Sequence, residues 1–159
     1  MEDKNNHPTI KRYNERKLSV EPNMRVSKLN ALQLREMCLE LGADDVGFVD
    51  ISHPALANQK ADILKVFPWT KTLISFVGLM NRANLRSPAR SIASIELQQV
   101  EKRVNHVAHT LAASLDRKGI RAAAPAAGFP METDQWPGKM QVVSHKPIAE
   151  AAGLGKMGL

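Results

Sequence analysis

Three glycines near the end of the sequence have the spacing of a phosphate-binding turn. Gly153, Gly155 and Gly158 form the pattern G-x-G-x-x-G within "AAGLGKMGL". In dinucleotide-binding proteins this pattern connects a strand to a helix whose N-terminus faces the pyrophosphate. Here the preceding residues "KPIAEAA" favour a helix, so the glycines follow a helix C-terminus, where the dipole disfavours a phosphate. The sequence therefore predicts a C-terminal glycine turn rather than a dinucleotide site.

Polar side chains stand just before that helix. His145 and Lys146 end the predicted strand "MQVVSH" immediately before Pro147, and Ser144 precedes them. Binding sites in proteins that alternate strands and helices collect where strands lead into loops. An imidazole and an ammonium at such a place can bind a polar ligand, and they can equally serve the fold. The residues alone leave both roles open.

Two histidines share a face of the longest predicted helix. His106 and His109 are three residues apart, so both could bind one metal ion. No carboxylate or cysteine pattern accompanies them, and they flank the apolar stripe that contains Val104 and Val107. We therefore expect them to face solvent, and we predict no metal site.

The carboxylates do not form a ready acid and base pair. Asp44 and Asp45 adjoin a predicted strand, in which neighbouring side chains point to opposite faces. Asp50 ends that strand and can cap the helix that follows. Glu132 and Asp134 lie in a Pro/Gly-rich loop, where exposed carboxylates are common. The sequence has no nucleophile elbow, P-loop, H-E-x-x-H or C-x-x-C pattern, so no catalytic residue is identified.

Cys38 is the one cysteine in the sequence. It lies on the apolar face of a predicted helix, so we expect core packing rather than a reactive thiol. A single cysteine forms no internal disulfide and holds no iron–sulfur cluster alone. The N-terminal residues lack the apolar core of a signal peptide, and no apolar run approaches the ~20 residues that cross a bilayer. We expect a cytoplasmic protein without a membrane partner.

Hydrophobic periodicity predicts an alternating order of elements. Residues 1–25 are polar and read as a flexible arm, and 26–159 as one domain. Four helices are predicted. The first is "SKLNALQLREMCLE", which begins at Ser27 and is stopped by Gly42, and the second is "PALANQKADILKVF". The third runs from Ser91 to Lys118 and is stopped by Gly119, and the fourth is "PIAEAA". The predicted strands are "ADDVGFVDI", a buried central strand "TLISFVGLM", "IRAAA" and "MQVVSH". This order predicts an α/β (α+β) fold with helices layered on a small parallel or mixed sheet.

The overall charge is basic without pointing to nucleic acid. The formal net charge is +6, but the basic residues are dispersed and aromatic residues make up only 4% of the chain. Proteins that bind single strands intersperse aromatic stacking platforms among their basic residues. We therefore do not expect tRNA or other nucleic acid to be the main partner.

The order of these segments resembles a known family. The segments "LGADDVGFVDI" and "FPWTKTLISFVGLMN", the long helix and "SHKPIAEAAGLGKMGL" are similar to the N-terminal half of the epoxyqueuosine reductases. The relatives of those enzymes include 4Fe-4S ferredoxin-type proteins and reductive dehalogenases. The resemblance extends from Leu29 to Leu159. Its most specific part is the stretch "KPIAEAAGLGKMG".

The resemblance implies a cofactor and a reaction class. Family members bind cobalamin in a nitroreductase-like domain, and a following ferredoxin-like domain carries two [4Fe-4S] clusters on eight cysteines. Electrons pass from the clusters to the corrinoid, which reduces a tRNA base or an organohalide. On this sequence the resemblance places the glycines of "AAGLGKMGL" near the corrinoid. It also makes Ser144, His145 and Lys146 polar contacts of the cofactor.

The sequence departs from the family at two places. It lacks the cluster cysteines, and Lys139 stands where epoxyqueuosine reductases carry a catalytic acidic residue. We therefore expect the N-terminal fragment of a corrinoid and iron–sulfur oxidoreductase, inactive alone, with a ferredoxin-like domain or polypeptide as its partner. The tRNA reaction is not expected. The alternative is a stand-alone, non-catalytic module that binds a corrinoid, a flavin, tRNA or a protein.

Overall fold

A computed structural model describes residues 29–126 and 142–158 of the chain, together with Pro8, Lys11 and Arg12. The helices are α1 (Ala31–Glu40), α2 (Ala57–Val66), α3 (Arg82–Leu85), α4 (Arg90–Arg117) and α5 (His145–Ala151). The strands are β1 (Asp45–Asp50) and β2 (Thr72–Val77), and a 3-10 turn, Pro54–Leu56, leads into α2. Within the described residues the fold is of the α+β class.

The two strands form an antiparallel ribbon with helices on both faces. Val46 lies opposite Phe76, and Phe48 lies opposite Ile74. Because side chains alternate along a strand, these four residues share one face. Val49, next along β1, turns to the other face. Val46 and Val49 are both buried, so β1 is covered on its two sides.

Helices α1 and α4 cover the first face. Cys38 from α1 packs with Val107, Leu111 and Leu115, which recur on one side of α4. Val46 from β1 completes the buried set. The apolar spacing of three to four residues predicted in α4 thus produces the packing stripe that holds the longest helix on the sheet.

Helices α2 and α5 cover the second face. Leu56 and Ile63, from the 3-10 turn and α2, are almost fully buried. They pack with Val49 of β1, with Val143 in the bend before α5 and with Ile148 of α5. The predicted layering of helices on a small sheet is therefore confirmed.

Helix ends follow the predicted signals with one shift. Gly42 and Gly119 both adopt positive φ just after α1 and α4, as predicted. The N-cap of α1 is Asn30, which forms a capping box with Gln33. Ser27, the predicted N-cap, lies outside the described residues.

The predicted sheet is wrong in three respects. The described sheet is antiparallel, not parallel or mixed, and has two strands. "TLISFVGLM" forms β2, but its residues are at most half-buried because β2 pairs only with β1 in the described part. Ile120 to Ala124 is not a strand, since its run of alanines offers little side-chain area for cross-strand pairing.

The last predicted strand is also corrected where it is described. Val142 and Val143 are buried, but their backbone forms a bend rather than a strand. Their side chains fill the core against α5, and this packing replaces sheet pairing. Ser144 and His145, the last residues of that predicted strand, begin α5 instead, whereas Met140 and Gln141 lie outside the described residues. So does the arm at 1–25, apart from the three isolated positions. So do Glu132, Asp134 and Lys139.

Candidate functional site

A cleft of about 780 Å³ lies along the side of β2. Its walls include β2, the second half of α4, the segment 120–125 and the first turns of α5. A volume of this size falls within the range of small-molecule sites, which are mostly apolar with a few polar groups. The cleft is therefore the candidate site.

Small side chains make much of the wall low and smooth. Six alanines line the cleft, from α4, the extended segment and α5: Ala108, Ala112, Ala122, Ala123, Ala124 and Ala149. Because an alanine projects only a methyl group, a broad ligand can approach the backbone of these elements closely. The run "AAA" after α4 is predicted to be part of a strand, but in the structure it forms part of the cleft wall.

His145 and Lys146 lie in the lining of this cleft. They are exposed residues in the first turn of α5, which begins two residues earlier than the predicted start at Pro147. Ser144 is the N-cap residue of that helix and is not part of the lining. The structure thus brings two of the three predicted polar residues to the cleft, at a helix start instead of a strand end.

Gln59 holds this helix start in place. It is a buried polar residue on α2, and its Oε1 accepts a hydrogen bond from the backbone N–H of Ser144 at 2.9 Å. The bond joins segments 85 residues apart. The position of His145 and Lys146 therefore depends on a contact that local sequence does not reveal.

The glycine pattern forms the helix stop that the sequence predicts. Gly153 has φ +79°, and its N–H donates to the carbonyl of Glu150 at 3.0 Å. The N–H of Leu154 donates to the carbonyl of Ala149 at 3.0 Å, which completes a Schellman turn. A dinucleotide turn would have to open a helix, and this one closes α5.

None of the three glycines belongs to the cleft lining. A Cβ added at Gly153, Gly155 or Gly158 would meet no atom within 4 Å. Within the described residues, these glycines therefore do not provide close backbone approach to another part of the chain. Their assignment to a corrinoid stays a prediction.

The cleft carries cations that the sequence analysis did not single out. Lys71 and Arg121 line it together with His145 and Lys146, and the described lining contains no aspartate or glutamate. Arg121 lies over the ring of Trp69 at 5.9 Å, and Phe67 meets that ring edge-on at 6.4 Å. The "PWTK" segment before β2 is the signal that could have drawn attention to this end of the cleft.

The carboxylates of β1 serve structure. Asp45 accepts hydrogen bonds from the N–H of Val46 and from Arg35, and these contacts hold the pKa of Asp45 below its usual range. Asp44 accepts from the N–H of Leu79 and forms an ion pair with Arg103 at 3.1 Å. The two neighbouring carboxylates thus bind different partners.

Two further carboxylates stabilise turns. Asp50 accepts from both the backbone N–H and the hydroxyl of Ser52, which lowers the pKa of Asp50. It closes the turn after β1, whereas His53 is the N-cap of the following 3-10 turn. Glu96 on α4 accepts from the backbone N–H of Asn81 and from the amide of Asn84, which lowers the pKa of Glu96.

The described residues offer no metal or cluster site. Cys38 is 0% exposed, and burial raises the pKa of its thiol. His106 and His109 are exposed, as predicted. No group of three or more His, Cys, Asp or Glu side chains in the described part could hold a metal ion. With one cysteine in the whole sequence, this chain does not fit an iron–sulfur cluster.

Comparison of the chain with family models, with curated proteins and with solved structures finds no match. Among the helices that the structure describes, none is both long and apolar enough to cross a lipid bilayer.

Proposed function

We propose that this chain is the corrinoid-binding part of a cobalamin- and iron–sulfur-dependent oxidoreductase similar to the epoxyqueuosine reductases. The observation that carries the proposal is the position of His145 and Lys146. They belong to the stretch that most resembles the family, and they line a large apolar cleft. The proposal requires that this α+β fold be the corrinoid-binding half of a nitroreductase-like domain.

The described lining fits a broad and largely apolar group. The low alanine wall suits the edge and face of a macrocycle, and the side chains of β2 supply further apolar surface. His145 and Lys146 would make polar contacts at its periphery. When a corrinoid is bound, the chemistry it supplies is electron transfer to a substrate.

The chain's own residues bind and orient rather than deliver electrons. Its single thiol is buried in the core with Val107 and Leu111 and does not itself line the cleft. Reducing equivalents would therefore come from clusters on a ferredoxin-like domain or polypeptide. We accordingly propose that this chain alone binds without turnover.

A second candidate is a non-catalytic binding module for a corrinoid, a flavin or a protein partner. It is favoured by the absence of aspartate and glutamate from the described lining, which leaves that lining without a carboxylate for acid–base catalysis. tRNA is disfavoured because the basic residues of the chain are dispersed.

A titration tests the proposed function. Purified chain is titrated with hydroxocobalamin while the visible absorbance of the corrin is followed. Ala123→Trp places a large side chain on the exposed cleft wall and should weaken binding. Ala61→Trp makes the same change at an exposed position of α2 outside the lining and should leave binding unchanged. Equal affinity for both variants would show that the cleft is not the corrinoid site.

A further inference from the structure

We infer that one rim of the cleft recognises an oxyanion on the ligand, so that the preferred ligand is a small molecule with an apolar body and an anionic group. The rim consists of Lys71, Arg121 and Lys146, called here the cationic rim. The inference rests on the proposed function only in that both concern the same cleft, and it holds whether or not the apolar body is a corrin ring.

The cationic rim is assembled from three separate segments. Lys71 directly precedes β2, Arg121 follows α4, and Lys146 lies in the first turn of α5. All three line the one cleft, as does His145. Three cations without a carboxylate in the described lining give the cleft a positive potential, which attracts an anionic ligand.

The described structure supplies no internal anion for the cationic rim. The ion pairs between Asp45 and Arg35 and between Asp44 and Arg103 lie elsewhere. No carboxylate belongs to the described lining, and no ion pair of Lys71, Arg121 or Lys146 is found in that part of the chain. Among the described residues, therefore, no carboxylate neutralises the charge that lines the cleft.

Arg121 is also preorganised. Its guanidinium lies over Trp69 at 5.9 Å, and the ring of Trp69 is itself contacted by Phe67. A guanidinium held over an aromatic ring by a cation–π contact loses less freedom when it binds an oxyanion through two N–H groups. The geometry suits a phosphate, carboxylate or sulfonate group adjacent to an apolar surface.

Two matched fluorescent probes test this inference without any corrinoid. Anilinonaphthalene sulfonate carries an apolar aromatic body and a sulfonate, and N-phenylnaphthylamine has a similar body without the charge. Both fluoresce when they enter an apolar site. We expect the wild-type chain to bind the sulfonate more tightly than the neutral probe, and to lose that preference in high salt because exposed charges are screened.

Substitutions in the cationic rim test whether these residues cause the preference for the sulfonate probe. The double variant Lys71→Gln and Arg121→Gln should bind the sulfonate probe about tenfold more weakly than the wild type does. Its affinity for the neutral probe should be unchanged. Lys102→Gln removes one charge from an exposed position of α4 outside the cleft and is the control. Arg121→Lys keeps the charge but not the planar fork and should give an intermediate affinity. Circular dichroism checks that each variant is folded.

Three results would overturn the inference: wild-type affinity that is equal for the two probes, a parallel loss of both probes in the double variant, or an equal loss in Lys102→Gln. Failure of corrinoid binding with retained charge selectivity would instead reject the proposed function and leave the cationic rim standing. Corrinoid binding without charge selectivity would reject the cationic rim and leave the proposed function standing.

Discussion

Gly47 in β1 lies directly against the backbone of Ala152 at the end of α5. A Cβ at position 47 would overlap the carbonyl oxygen of Ala152 and approach its Cβ to 3.0 Å. This contact sets the distance between the sheet and the helix that carries His145 and Lys146. A glycine in the middle of a buried strand thus has a packing reason.

Gly47→Ala should therefore destabilise the protein. Because the opposing atom is backbone rather than a flexible side-chain end, α5 must move, and we expect a loss of about 1–3 kcal/mol in the free energy of unfolding. Urea denaturation followed by circular dichroism measures it. Gly158→Ala is the control, since a Cβ there meets nothing within 4 Å and its φ is not positive. Equal stability of the two variants would contradict the close contact.

Gln59→Leu should loosen the start of α5. The substitution keeps the apolar volume but removes the acceptor of the Ser144 N–H, which leaves that donor without its partner at a cost of about 1–3 kcal/mol. We also expect weaker binding of the sulfonate probe, because His145 and Lys146 follow Ser144. Gln59→Ala removes the same acceptor along with side-chain volume. Unchanged stability and unchanged probe affinity in Gln59→Leu would show that Gln59 does not position the start of α5.

Acid should destabilise the fold through Asp45, Asp50 and Glu96. Their hydrogen bonds lower the folded pKa of each below its unfolded value. Their stabilisation is therefore fully present above the unfolded pKa values of about 4 and is lost as the pH falls through the folded ones.

Denaturation midpoints measured from neutral pH down to about pH 3 check this expectation, since that range spans the ordinary carboxyl pKa values. Glu96→Gln retains a carbonyl acceptor for Asn81 but cannot titrate, so its acid dependence should be shallower than that of the wild type. An identical slope would show that the contacts of Glu96 do not contribute.

Cys38 should be unreactive in the native protein. It is fully buried between α1 and α4, and burial raises the pKa of its thiol, which lowers the fraction of reactive thiolate. Ellman's reagent should modify it only as fast as the protein opens, and at once in denaturant. Fast modification of the native protein would contradict its place in the core.

The elements that follow local rules were predictable, and those that depend on distant contacts were not. The apolar period of α4 and the glycine after α5 are local signals. The predicted glycine turn is confirmed, and so is the apolar stripe at Val107, Leu111 and Leu115, whereas Ile92 and Ile95 of the same predicted stripe are exposed. The pairing of β2 is not local: its continuous apolar run suggested a central strand, although in the described residues it pairs with β1 alone. The site divides in the same way. The residues around His145 and Lys146 in the sequence predict these two as site candidates. Trp69 and Arg121, in contrast, are distant in the sequence and come into contact only in the folded chain.

Co-elution of the purified chain with hydroxocobalamin on gel filtration shows whether the cleft binds the cofactor. We expect an equimolar amount of corrinoid in the protein peak, and much less in the peak of Ala123→Trp. A wild-type peak free of corrinoid, with none retained in equilibrium dialysis, would contradict the claim that this cleft binds the cofactor.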